Sequence, residues 1–109
     1  MNKQVDLLRL RTLCAAEAVI LTEHCTHRLR ERRIDINDVL QCIQCGEIIE
    51  QYPEDYPTPS CLILGLSVDG KPLHVVSSIK TDMACIITAY WPNTSKWEAD
   101  FKTRKAVEK

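Results

Sequence analysis

The sequence predicts an α+β fold, with N-terminal helices packed on a four-stranded antiparallel sheet and a short C-terminal helix. Three observations carry that prediction. Apolar residues recur at helical spacing as far as Gly46, runs rich in Ile, Val and Leu follow from Glu47, and the links between most of those runs are short enough for hairpins. Consecutive strands joined in this way make a meander, and the helices that precede it must cover one of its faces. The 109 residues read as a single domain, 1–109. A chain of this length buries roughly two thirds of its unfolded surface, enough for a core without disulfide or metal staples.

Val5 and Leu8, with Leu7, Leu10 and Cys14, mark a first amphipathic helix ending near Ala16. Ala18 to Thr22 is too short to assign. His24 to Arg33 reads as a second, very basic helix with Cys25 and Leu29 as a thin apolar stripe. Asp35 and Asp38 resemble a helix start, Ile36, Val39, Leu40 and Ile43 then fall at i, i+3, i+4 and i+7, and Gly46 closes the element. Those four side chains are expected to be buried against the sheet.

The strand-like runs are Ile48–Tyr52, Cys61–Val68, Leu73–Ile79 and Ala84–Trp91. Asp69-Gly70 reads as a hairpin turn with positive φ at both residues, and Thr81-Asp82 as another tight turn. Pro53, Pro57 and Pro59 keep the segment after the first strand irregular. Trp97 to Val107 is expected to be the C-terminal helix.

Charge and apolar pattern narrow the function classes. Fourteen Lys and Arg against fifteen Asp and Glu leave a formal net charge of −1, which argues against a generic nucleic-acid coat. No apolar run approaches the roughly 18 residues of a membrane span, since Glu17 breaks Ala15–Leu21. Met1 to Leu13 alternates charge and leucine, unlike a secretory signal, so the cytoplasm is the expected compartment. Its reducing chemistry keeps the six cysteines as free thiols, with Cys14, Cys61 and Cys85 as small core residues. The pair Cys42 and Cys45 sits at a helix C-terminus, whose dipole disfavours a redox thiolate. Zinc ligands from His24, Cys25, His27, Cys42 and Cys45 would have to come from within two helices. No metal and no cofactor is expected.

The basic residues are concentrated where chemistry is plausible. Residues 24–33 hold Arg28, Arg30, Arg32 and Arg33, whereas residues 47–56 hold Glu47, Glu50, Glu54 and Asp55 and no base. His24, Arg28 and Arg32 lie at i, i+4 and i+8, one imidazole and two guanidinium groups down one helical face, which suits a phosphate chain. A solvated face laced to Glu23 and Glu31 has the same pattern. His74 is mid-strand, fit for proton transfer or for a satisfied interior position. Thr88 and Tyr90 share a face of the last strand, and Arg104 returns positive charge near the C-terminus.

One family resemblance covers most of the chain, from about Thr22 to Arg104. It is carried by His24-Cys25-x-x-Arg28-x-x-Glu31-Arg32-x-Ile34, Asp38-Val39, Gly46-Glu47-Ile48-Ile49 and Tyr52-Pro53. Pro72-Leu73-His74-Val75-Val76, Ile86-Ile87-Thr88-Ala89-Tyr90-Trp91-Pro92 and Trp97 complete it. Together these resemble the small bacterial proteins grouped as domain of unknown function 4258. Cys25 departs from the family's usual alanine. Arg33 departs from its usual glycine, at a turn where glycine permits backbone that arginine resists.

The resemblance implies a RelE-like or barnase-like ribonuclease fold and the role of a toxin in a toxin–antitoxin pair. The implied partners are RNA and an antitoxin of zinc-finger and helix-turn-helix type. It further implies that His24 and His74 are the proton-transfer pair, with Tyr90 and Arg104 beside them. Arg28 and Arg32 then clamp the phosphate, with Thr88 as a further substrate contact. The alternative is a non-catalytic protein-interaction module of the same fold. Fold analogy cannot choose between the two.

Overall fold

In the computed structural model of the chain, which describes residues 4–106, each helix starts at a side chain that caps it. Asp6 accepts from the Leu8 N–H before α1 (Leu7–Ala15), and Thr22 accepts from the Cys25 N–H before α2 (Glu23–Glu31). Asp35 and Asp38 form a reciprocal capping box before α3 (Ile36–Cys45). Between α1 and α2 lies a strand, β1 (Val19–Leu21), followed after α3 by β2 (Glu47–Tyr52), β3 (Ser60–Leu66), β4 (Pro72–Lys80) and β5 (Met83–Tyr90).

The sheet therefore has five strands, in the order β1-β5-β4-β3-β2. β2 to β5 are the expected antiparallel meander, and β1 adds to its far edge in parallel, with Val19 opposite Ala84 and Leu21 opposite Ile86. Three residues cannot declare a period, and their partner lies at the other end of the chain. The short C-terminal helix does not form over 97–106. Instead the Asp100 carboxylate accepts from the N–H groups of Lys102 and Thr103, a local turn that competes with helix, and Phe101 takes φ 56°. Val107, the last residue of that expected helix, lies outside the described residues. No helix among the described residues is long and apolar enough to cross a membrane.

All three helices cover one sheet face. Leu10, Cys14, Cys25, Leu29, Val39, Cys42 and Ile43 bury against Cys61, Ile63, Leu73, Val75, Ala84, Ile86 and Ala89. On α3 the buried stripe is Val39, Cys42 and Ile43. Leu40 is only half-buried, and Ile36, in the first turn, is 37% exposed, so the expected stripe is rotated toward Cys42. Gly46 ends α3 with extended backbone (φ −92°, ψ −172°) and not in the left-handed region. Space demands it: a Cβ there would stand 2.5 Å from the Cys42 carbonyl oxygen.

The turns differ in detail from expectation. At 67–71 only Gly70 has positive φ, with its N–H on the Ser67 carbonyl and the Ser67 N–H on that of Lys71, so the hairpin carries a glycine bulge. Thr81 and Asp82, at φ 50° and 58°, form the two-residue turn with both central residues left-handed. Arg33 stands at φ 55° as α2 closes, the Arg33 N–H reaching Arg30 and the Ile34 N–H reaching Leu29. This is a left-handed helix cap in which glycine has no steric cost. Arg33→Gly is expected to stabilise the protein by about 1 kcal/mol, read as a higher urea midpoint with an unchanged slope.

Candidate functional site

Strand alternation alone would turn Thr88 and Tyr90 toward the helices, as Ile86 is turned. A β-bulge prevents this. Val76 pairs with Thr88 while its neighbour Ser77 pairs with Ile86, so Ile87 is the extra residue. Beyond it Ala89 faces the core, and Thr88 and Tyr90 face the other side of the sheet. His74, opposite Tyr90 in the register, lies on that same side.

His74 is fully buried there, beneath the segment 91–105 that follows β5. Its Nε2 lies 2.7 Å from the Phe101 carbonyl oxygen and its Nδ1 3.2 Å from the Tyr90 hydroxyl. A carbonyl oxygen only accepts, so Nε2 carries the proton. Burial lowers the His74 pKa, against the opposing pull of the Phe101 carbonyl and the Glu50 carboxylate. The neutral ring then offers a lone pair at Nδ1, and the Tyr90 O–H donates to it. Burial in turn raises the Tyr90 pKa and keeps the phenol protonated. Tyr90 and Trp97 meet the imidazole edge to face, with ring centroids 5.2 and 4.6 Å away.

The covering segment folds back on itself, with Trp97 paired to Arg104 and the Lys105 N–H on the Lys96 carbonyl. It is tied to β2 by two ion pairs. Lys102 meets Glu47 at 2.6 Å between exposed side chains, and Arg104 grips Glu50 with Nε at 2.7 Å and Nη2 at 2.9 Å. The Arg104 guanidinium also lies 4.6 Å over the Trp97 ring. Its hydrogen bonds hold the Glu50 carboxyl below the usual range. Tyr52 donates to the same carboxylate, and burial, then that bond, pushes its phenol up to about 12.

Arg32 closes the other side. As the C-cap of α2 it reaches the edge of β5 beyond the last residue paired to β1, donating from Nη1 to the Ala89 carbonyl at 2.8 Å and the Thr88 hydroxyl at 3.2 Å. The Trp91 indole N–H returns a 2.8 Å bond to the Arg32 carbonyl. Between these groups opens a cleft of about 360 Å³. Its walls carry three cations, Arg32, Lys96 and Arg104, and three aromatic rings, Tyr90, Trp91 and Trp97, with no carboxylate among the lining residues.

Of the residues singled out in the sequence, Arg32, His74, Thr88, Tyr90 and Arg104 converge on this cleft, although Thr88 acts on Arg32 and His74 stands behind Tyr90. His24 and Arg28 do not. His24 is exposed on α2 beside Glu23, Thr26, His27 and Arg30, and Arg28 pairs with Glu31 at 3.4 Å. α2 packs on the helical side of the sheet and His74 lies on the other, so the two histidines share no cleft. Sequence reasoning gave Lys96, Trp91 and Trp97 no role in the site; Trp91 and Trp97 stood out only among the residues that carry the family resemblance, and no signal marks Lys96. Among the described residues no three His, Cys, Asp or Glu side chains gather to hold a metal ion. Cys42 is buried, its thiol on the Leu73 carbonyl, and burial pushes its pKa up to about 12.

A family model described as Domain of unknown function (DUF4258) matches residues 21–91. It spans α2 through Trp91 and stops short of Lys96, Trp97 and Arg104. No curated protein and no solved structure matches the chain.

Proposed function

The chain belongs to the domain of unknown function 4258 family, and we propose that it is a metal-independent endoribonuclease of RelE-like type, the toxin of a bacterial toxin–antitoxin pair acting in the cytoplasm. One observation carries this reading: three cations line one cleft with a tyrosine whose hydroxyl is bonded to a buried histidine. An RNA phosphodiester presents diffuse negative charge, which guanidinium forks pair with well, and an adjacent 2′-hydroxyl that needs a base.

In this reading Arg32 and Lys96 hold the phosphate, with Thr88 steadying Arg32 and Arg104 adding charge. Tyr90 takes the proton of the 2′-hydroxyl as it passes its own to His74 Nδ1. The Phe101 carbonyl still accepts from Nε2–H and stabilises the imidazolium that results. The 2′-oxygen bonds to phosphorus and the bond to the 5′-oxygen breaks, leaving a 2′,3′-cyclic phosphate. The departing 5′-oxygen draws its proton from water, because the second histidine, His24, stands outside the cleft. His24 and Arg28 then meet only RNA flanking the reacting phosphate. An antitoxin of zinc-finger and helix-turn-helix type would act by covering the cleft.

A second reading, a non-catalytic protein-interaction module, is favoured by the pairing of Arg104 and Lys102 with Glu50 and Glu47, which neutralises part of the charge around the cleft. Both readings are tested by incubating the partner-free protein with single-stranded RNA in the presence of a chelator. Cyclic-phosphate and 5′-hydroxyl ends are expected, with Arg32→Ala weakening RNA binding by roughly 10–100-fold. RNA left intact under these conditions would overturn the nuclease reading in favour of the module.

A further inference from the structure

The tautomer of His74 is set by one carbonyl, that of Phe101, and Phe101 does not adopt its conformation for free. It is a bulky residue in the left-handed region, at φ 56°, where such side chains are rare and persist only if their surroundings impose the geometry. The covering segment shapes this turn itself, with the Phe101 N–H on the Glu98 carbonyl, the Glu98 N–H on that of Thr103 and the Asp100 carboxylate on the N–H groups of Lys102 and Thr103, but none of these bonds fixes where the turn lies on the sheet. Its seating over His74 comes from ties to β2. The Lys102–Glu47 pair is more than half exposed on both sides, a kind of contact that orients little. The Arg104–Glu50 pair is different. It is bidentate, and Glu50 is only 23% exposed and is held from a third direction by the Tyr52 hydroxyl.

We propose that Glu50 is a positioning residue for His74: by clamping Arg104 against Trp97 it seats the segment so that the Phe101 carbonyl fixes the imidazole as the Nε2–H tautomer, with its Nδ1 lone pair on Tyr90. Each link is a contact. Glu50 holds Arg104, Arg104 lies over Trp97, and Trp97 abuts the imidazole that Phe101 caps three residues before Arg104. Without the clamp the carbonyl withdraws, and the buried ring is free to protonate at Nδ1 instead. Nδ1–H has no lone pair to accept the tyrosine proton. The catalytic consequence rests on the nuclease reading above, whereas the tautomer does not.

The test therefore has two arms. Long-range proton–nitrogen NMR spectra of histidine-labelled protein read the His74 tautomer directly. The wild type is expected to show Nε2–H alone, and Glu50→Gln a mixture with Nδ1–H. Tyr52→Phe, which removes only the third contact to Glu50, is expected to shift the ring the same way to a smaller extent and serves if Glu50→Gln does not fold. A single Nε2–H tautomer in both variants would overturn the proposal. In the second arm Glu50→Gln is expected to lower kcat for RNA cleavage by about tenfold or more, with a smaller change in KM from the released Arg104. A raised KM with unchanged kcat would overturn it, by placing Glu50 in binding. If the wild type cleaves no RNA, the nuclease reading fails, and the NMR arm still decides whether Glu50 sets the tautomer.

Discussion

Tyr90→Phe is expected to slow RNA cleavage by about 10²–10⁴-fold, the usual contribution of a positioned proton-transfer group. RNA binding should change little. The substitution keeps the ring against His74 and Trp97 and removes only the hydroxyl that joins the cleft to Nδ1. The buried Nδ1 then lacks its donor, at a cost of about 1–3 kcal/mol, so the unfolding midpoint should be recorded beside the rate. The pH dependence has a definite sign. Proton acceptance needs neutral His74, whose pKa burial holds below the ordinary value of about 6.5. Wild-type activity is therefore expected to persist below pH 6.5 and to fall only as the pH drops through that depressed value. Single-turnover cleavage across pH measures both effects. A Tyr90→Phe rate equal to wild type would remove tyrosine from the proton path.

Gly65→Ala is expected to destabilise the fold by about 3 kcal/mol or more, at the upper end of what overpacking costs. A Cβ at Gly65 would stand 2.3 Å from the Cys42 carbonyl oxygen and 2.9 Å from its carbonyl carbon, all backbone of α3. No rotamer change relieves such a contact, so helix and strand must separate. The same carbonyl oxygen blocks a Cβ at Gly46, so the last turn of α3 is pinned between two glycines. Separation would also expose Val39, Cys42 and Ile43, all fully buried. Urea denaturation of the variant reads the loss, and a midpoint equal to wild type would show that α3 is free to shift.

Local signals brought the sequence far with the fold. The α3 cap, the Cys25 and Leu29 stripe of α2 and the β2–β5 meander all rest on residues close together in the chain. What failed was non-local or concealed by competing local chemistry. β1 has no period of its own, and its pairing with β5 depends on the finished sheet. The expected final helix lost to the Asp100 turn and the backbone of Phe101. For the cleft, spacing placed His24, Arg28 and Arg32 on one helical face, yet only Arg32, at the helix end, reaches past β1 to the strand edge. The bulge that turns Thr88 and Tyr90 toward His74 adds one residue, Ile87, with nothing in its type to announce it. Lys96 and Trp97 come from a segment shaped by the Asp100 turn and tied to β2 by the Arg104–Glu50 pair, a non-local contact that no periodicity encodes.

The parallel strand has a consequence for the order in which the molecule assembles. Val19 pairs with Ala84 across more than half of the chain, so this contact closes the largest loop in the sheet and is entropically the most expensive to make early. β5 has to be synthesised and docked on β4 before β1 has a partner. α2 follows β1 after a single residue, Thr22, and so is tethered to an edge that forms late. Arg32 travels with α2. A nascent chain accordingly builds its meander first and its cationic cleft last, and remains without the complete cleft until almost all of the domain has emerged.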